Sequence, residues 1–107
     1  MSISFGHASD TLVNLDFGDF SDWVYKHDVN CSAGTVAEIN RLLGTNFDNQ
    51  EGGFVEVEEL QPLIETCSRW LESADEEDRL SLYGIRINQL RELAKSALEY
   101  NEPITYG

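Results

Sequence analysis

The sequence predicts a small α+β domain, with about three helices packed on a short N-terminal antiparallel sheet, and three observations carry that prediction. The chain has 107 residues, a length that suits one domain and one hydrophobic core without metal or disulfide staples. Apolar residues near the N-terminus alternate, as they do in a half-buried strand. Three later segments instead repeat their apolar residues at steps of three and four, the spacing of an amphipathic helix. With 41% hydrophobic and 25% charged residues, the chain has enough apolar and aromatic content to fold alone over 1–107 as a single globular domain.

The elements follow in order. "SISF" suits a short strand and "GHASD" a turn. In "TLVNLDF", Val13, Leu15 and Phe17 alternate with Asn14 and Asp16, which predicts a second strand. "GDFSDWVYKHD" is assigned a short helical turn capped by Ser21 or Asp22. In "GTVAEINRLLG", Thr35 and Glu38 have the spacing of a capping box. Val36, Ile39, Leu42 and Leu43 then share a face, and Gly44 is suited to the left-handed residue that ends a helix. "TNFDNQEGGF" reads as a loop. In "VEVEELQPLIETCSRWLES", Val57, Leu60, Leu63, Ile64, Cys67, Trp70 and Leu71 form the apolar stripe of a second helix. Pro62 has no N–H, which places it in the first turn, with the helix starting near Glu58 or at Pro62. Glu65 and Arg69 are four apart and suited to pair. "YGIRINQLRELAKSALEYN" gives the third helix, with Ile87, Leu90, Leu93, Ala94, Ala97 and Leu98 inward, and "ITY" after Pro103 a short closing strand.

Charge is the least ordinary property. Twenty acidic residues against seven basic ones give a net charge of -13. That balance argues against direct binding of nucleic acid or anionic membrane, since phosphates are held by Lys and Arg. The acidity is concentrated. Residues 51–78 hold ten acids and one base, whereas in 79–107 the bases outnumber the acids by one. Glu58, Glu65 and Glu72 recur every seven residues on one helix face, and "SADEEDR" extends the charge through Asp75, Glu76, Glu77 and Asp78. The plain reading is a solvated face and turn serving solubility. The functional reading makes these seven carboxylates the contact surface for a basic partner. If the helix ran through them, they would oppose its dipole at the C-terminal end.

Other chemistry finds little support. Read from Asn46, a calcium loop would need Gly at position six and Glu at position twelve, where the chain has Glu51 and Val57. His27 and Cys31 leave only His7 and Cys67 to complete a zinc site, which asks for three or four ligands. The cysteines suit small buried apolar roles, and His7 and His27 surface or loop positions. No phosphate-loop, nucleophile-elbow or dinucleotide glycine pattern is present, so neither an enzyme nor a cofactor is expected. Phe17, Phe20, Trp23 and Tyr25 are interleaved with Asp16, Asp19 and Asp22. That pattern fits core packing or a protein contact, but not a nucleic-acid platform. "MSISFGHASD" shows neither a signal nor a transit sequence, and no apolar run reaches the length of a membrane span, so a cytoplasmic location is expected.

In size and charge the chain is similar to phage-encoded inhibitors of host defence, such as anti-CRISPR and DNA-mimic proteins, and to immunity proteins that neutralise nuclease toxins. The likeness is one of kind, and no motif carries a residue role over. It implies a small intracellular inhibitor that presents carboxylates to a basic, nucleic-acid-handling surface of a partner protein. The alternative is a non-catalytic adaptor or assembly protein associating through apolar surface, for which an exposed Trp70 would be the marker.

Overall fold

The structure, a computed structural model, describes residues 2–8 and 29–107. Four strands, β1 (Ser2–Gly6), β2 (Val29–Ser32), β3 (Gly53–Val55) and β4 (Ile104–Tyr106), form an antiparallel sheet in the order β2-β1-β4-β3. Among the described residues four helices accompany it: α1 (Ala33–Leu43), α2 (Val57–Ser73), α3 (Glu76–Leu80) and α4 (Leu82–Glu99). The α+β expectation holds. The sheet also draws on the C-terminal strand expected at "ITY" and on β3, a three-residue strand that begins in the segment expected to be loop and ends at Val55.

Strand alternation decides which sheet face is covered. Ile3, Phe5, Val29, Cys31, Val55 and Ile104 are buried toward the helices, while Ser4, Asn30, Ser32, Phe54 and Thr105 are exposed on the other face. The helices complete one core through Val36 and Ile39 of α1, Leu60, Leu63, Ile64, Cys67 and Leu71 of α2, and Ile87, Leu90, Leu93, Ala94 and Ala97 of α4. Those α4 positions are among the ones the three-four spacing had selected, with Leu98 partly buried against the same core.

Helix boundaries correct several expectations. The cap of α1 is Ser32, whose hydroxyl accepts the Thr35 N–H at 3.3 Å. Thr35 lies three residues inside and its hydroxyl bonds Ser32 at 2.9 Å, so Thr35 and Glu38 form no capping box. Glu38 instead takes Arg41 as its partner, and that hydrogen bond holds its carboxyl below the usual range. Gly44 does end α1 in the left-handed region, at φ 72°. Helix α2 starts at Val57, beside the Glu58 start expected, but Pro62 then falls not in the first turn but in the second, where the Glu58 carbonyl loses its usual donor. Tertiary packing of Leu60, Leu63 and Ile64 on either side of the proline outweighs that loss. Glu65 and Arg69 do not pair. Gln61 donates to Glu65 at 3.4 Å, and Arg69 donates to the Thr66 hydroxyl at 3.3 Å.

The loop after α1 is tightly held. Asn40 accepts the Phe47 N–H and the Thr45 hydroxyl through Oδ1, each at 2.9 Å, and donates through Nδ2 to the Phe47 carbonyl at 2.7 Å. Asp48 accepts the N–H groups of Gln50 and Glu51 at 2.8 and 3.1 Å, which lowers its carboxyl pKa and commits it to a turn. The strand and turn expected at "TLVNLDF" and "GDFSDWVYKHD" lie outside the described residues.

Candidate functional site

Helix α2 fixes the first part of the acidic surface. Its apolar stripe faces the core, so Glu58, Glu65 and Glu72 fall together on the opposite side and all three are exposed. At 1.5 Å of rise per residue, seven-residue steps separate them by about 10 Å along the axis. Helix α2 then stops at Ser73, and Ala74 leaves helical geometry with ψ 146°.

Asp75 opens a new helix. Its Oδ1 accepts the Asp78 N–H at 2.8 Å, so the sequence read as a turn is the capped start of α3. Glu76, Glu77 and Asp78 occupy the first turn of α3, where the helix dipole favours negative charge. Because α2 ends at Ser73, before these acids, the conflict with its dipole that a longer helix would bring does not arise. All four acids of this corner are exposed. None of the seven carboxylates makes an ion pair with a described residue; the described acids that do so are Glu38, Glu92 and Glu102.

The same corner exposes apolar side chains that the sequence reading had not singled out. Leu80 is 69% exposed, Leu82 52% and Ile85 45%. Leu80 and Ile85 line a cleft of about 590 Å³ with Leu71, Glu72, Arg79 and Arg91. Trp70 is not the exposed marker an apolar adaptor would show. It is half-buried against the core and faces a second cleft of about 440 Å³ bordered by Arg41, Tyr83 and Asp78.

Both cysteines are buried and free. Burial pushes the Cys31 thiol pKa up, and pushes Cys67 up from 9.0 to about 12. The sign for stability follows from the neutral thiol being favoured in the fold. Above pH 9 the unfolded chain ionises the Cys67 thiol while the folded chain keeps it protonated, so stability falls as pH rises toward about 12, and the raised Cys31 thiol acts in the same direction. The unfolding free energy is expected to drop across that window by up to about 1.4 kcal/mol per pH unit for Cys67, and the urea midpoint falls with it. A Cys67→Ala variant should show a shallower drop, and an unchanged slope would refute the assignment. In native protein at pH 8 both thiols should react with a thiol reagent at least about 100-fold more slowly than in denaturant.

His7, expected at a surface or loop position, lies just past the end of β1 and is buried at 2% exposure. Its Nδ1 donates to Glu102 Oε2 at 2.9 Å, and its Nε2 lies 2.9 Å from Ser96 Oγ. Carboxylate, imidazole and hydroxyl stand in the order of a nucleophilic triad. Ser96 is inside α4, however, where neighbouring backbone N–H groups are committed to the helix and do not form an oxyanion site. The three groups tie the end of β1 to α4 and to the chain entering β4. They stand 89 and 95 residues apart, so no sequence spacing signals the arrangement.

Among the described residues no group of three or more His, Cys, Asp or Glu side chains is placed to hold a metal ion. His27 and the aromatic residues from Phe17 to Tyr25 lie outside the described residues. No described helix is long and apolar enough to cross a membrane. No protein-family model, curated protein or solved structure matches the chain.

Proposed function

We propose that this protein is a non-catalytic acidic binding protein that blocks the basic, nucleic-acid-handling surface of a partner protein. The observation that carries the reading is that Glu58, Glu65, Glu72, Asp75, Glu76, Glu77 and Asp78 are all exposed and none is neutralised by a described cation. Carboxylates held on helices occupy the Arg and Lys side chains that would otherwise grip phosphates. The axial step of about 10 Å between successive glutamates on α2 is close to that of three base pairs, at about 3.4 Å each. Backbone-directed cations spaced for a duplex thus meet charge at a similar interval. Coulombic steering by a chain of net charge -13 accelerates encounter with such a surface.

The test compares wild-type protein with a variant in which Glu72, Asp75, Glu76, Glu77 and Asp78 are all serine. Serine is an effective helix cap, so Ser at position 75 keeps α3 capped and isolates the effect of charge. Wild type immobilised on resin should retain nucleic-acid-binding proteins from host lysate. Salt and duplex DNA should each release them, and the variant should lose them by more than about tenfold. Partners that survive salt, DNA and the substitutions would overturn the electrostatic reading.

A second reading rests on the exposed Leu80, Leu82 and Ile85. An adaptor associating through this apolar corner would keep its partner in high salt and lose it on Leu80→Ser.

A further inference from the structure

Among the described residues, strand β3 has no neighbouring strand on its outer side, and an inference from that edge does not depend on the α2–α3 corner. Strand β3 is the last in the order β2-β1-β4-β3, and the hydrogen-bond alternation shows which of its backbone groups face outward. Ser4 and Gly107 exchange both bonds, at 3.0 and 3.2 Å. In an antiparallel ladder such pairs alternate, so Gly6 and Thr105 are the next bonded pair between β1 and β4. The N–H and C=O of Thr105 therefore point to β1, while those of Ile104 and Tyr106 point to β3. Gly53 and Val55 receive those bonds, and the N–H and C=O of Phe54 point away from the sheet. The Phe54 ring is 67% exposed.

Beside this edge lies a cleft of about 350 Å³, lined by Phe47, Phe54, Val55, Pro62, Leu63 and Tyr106. Its walls are preformed. Asn40 holds the Phe47 backbone at both polar atoms, and the Tyr106 hydroxyl accepts the Asp48 N–H at 3.0 Å. The Phe47 and Tyr106 rings meet edge to face at 5.5 Å. Glu58 and Glu59 form part of the rim, no described Lys, Arg or His lines it, and exposed Glu56 follows directly after β3.

We infer that β3 and this cleft bind an extended segment of a partner protein in which basic and apolar residues alternate, added to the sheet edge as a further strand. An added strand bonds the outward N–H and C=O of Phe54. Its residues opposite Gly53 and Val55 point toward the helix layer and so place apolar side chains at the cleft. The alternate residues fall on the outer face, where a Lys or Arg stem covers the Phe54 ring and the charge meets Glu56. Basic residues at the end of the segment meet Glu58 and Glu59. Charge complementarity selects this occupant over a second copy of the chain. Antiparallel pairing of β3 with itself about Phe54 would set Glu51 of one copy beside Glu56 and Glu58 of the other, in molecules of net charge -13.

The probe is a synthetic acetyl-(Lys-Val)₃-Lys-amide peptide, titrated into ¹⁵N-labelled protein at 150 mM salt. Amide shifts are expected at Phe54, Glu56, Glu58 and Glu59. A peptide with Glu in place of Lys, and one N-methylated at its central residues, should each bind at least about tenfold more weakly. Phe54→Ser and a Glu58→Gln/Glu59→Gln double variant should weaken binding, while the five-serine variant of the α2–α3 corner should not. That last arm separates this inference from the proposed function. Shifts confined to residues 72–78, equal binding of the N-methylated peptide, or absence of binding would each overturn it.

Discussion

Replacing Gly84 with alanine is expected to lower the thermal midpoint by about 5–15 °C. Gly84 is buried at the start of α4, and a Cβ there would stand 2.3 and 2.4 Å from the carbonyl oxygens of Asp78 and Arg79. Those are backbone atoms of α3, so no side-chain rotation relieves the overlap and the short helix must move. Overpacking of this kind costs about 1–3 kcal/mol, and sometimes more. It works against the gain of up to about 1 kcal/mol that alanine usually brings to a helix. For a domain of this size each kcal/mol shifts the midpoint by roughly 4–8 °C. The displacement also moves Asp75, Glu76, Glu77 and Asp78, so hydrogen exchange at the Asp78 amide should accelerate and partner retention should fall with it. A variant as stable as wild type, or more so, would show that α3 does not sit against Gly84.

The second large effect is in the helix layer. Ile87 is 0% exposed within the core that α4 shares with α2. Ile87→Ala removes buried methyl and methylene groups and leaves a cavity, at a cost of about 2–5 kcal/mol. Ile87→Val should cost about 0.5–1.5 kcal/mol. Because a domain of this kind has about 5–15 kcal/mol in all, the alanine variant should unfold at much lower urea concentration with the slope of the transition retained. Equal, small effects from both substitutions would mean that the α2–α4 seam is loosely packed.

Much of this architecture was legible in the residues because burial imposes a period. Leu60, Leu63, Ile64, Cys67 and Leu71 are spaced for a helix and all are buried, as are Ile87, Leu90, Leu93, Ala94 and Ala97. Short elements leave no such signature. Helix α3 is five residues with none buried, so neither periodicity nor apolar content announced it. Only the Asp75 cap defines its start. Strand β3 has three residues, one of them exposed Phe54, and no alternation is readable over that length. Pro62 misled for a different reason: intrinsic cost is local, whereas the packing that overrides it is tertiary. The positions of the seven carboxylates were readable from heptad spacing and charge. Their lack of ion pairs with described residues was not, because Glu65 and Arg69 have the right spacing and still take other partners. The β3 cleft and the His7 cluster draw on residues far apart in the chain, and such proximity has no one-dimensional trace.

The strand order has a kinetic consequence. Strands β1 and β4 lie side by side at the middle of the sheet, with Phe5 opposite Tyr106, so the central pairing joins segments about a hundred residues apart. Closing a loop of that length is entropically costly before any contact rewards it. It raises contact order and slows folding relative to a helical bundle of equal size. During synthesis, the inward faces of β1 and β3 have no neighbour between them until Ile104, Thr105 and Tyr106 emerge. The local helices α1, α2 and α4 can form earlier, whereas the sheet is completed last. In that interval Phe5 and Val55 are the apolar surfaces most open to misassociation, and the dense negative charge of residues 51–78 stands next to one of them as a guard against aggregation.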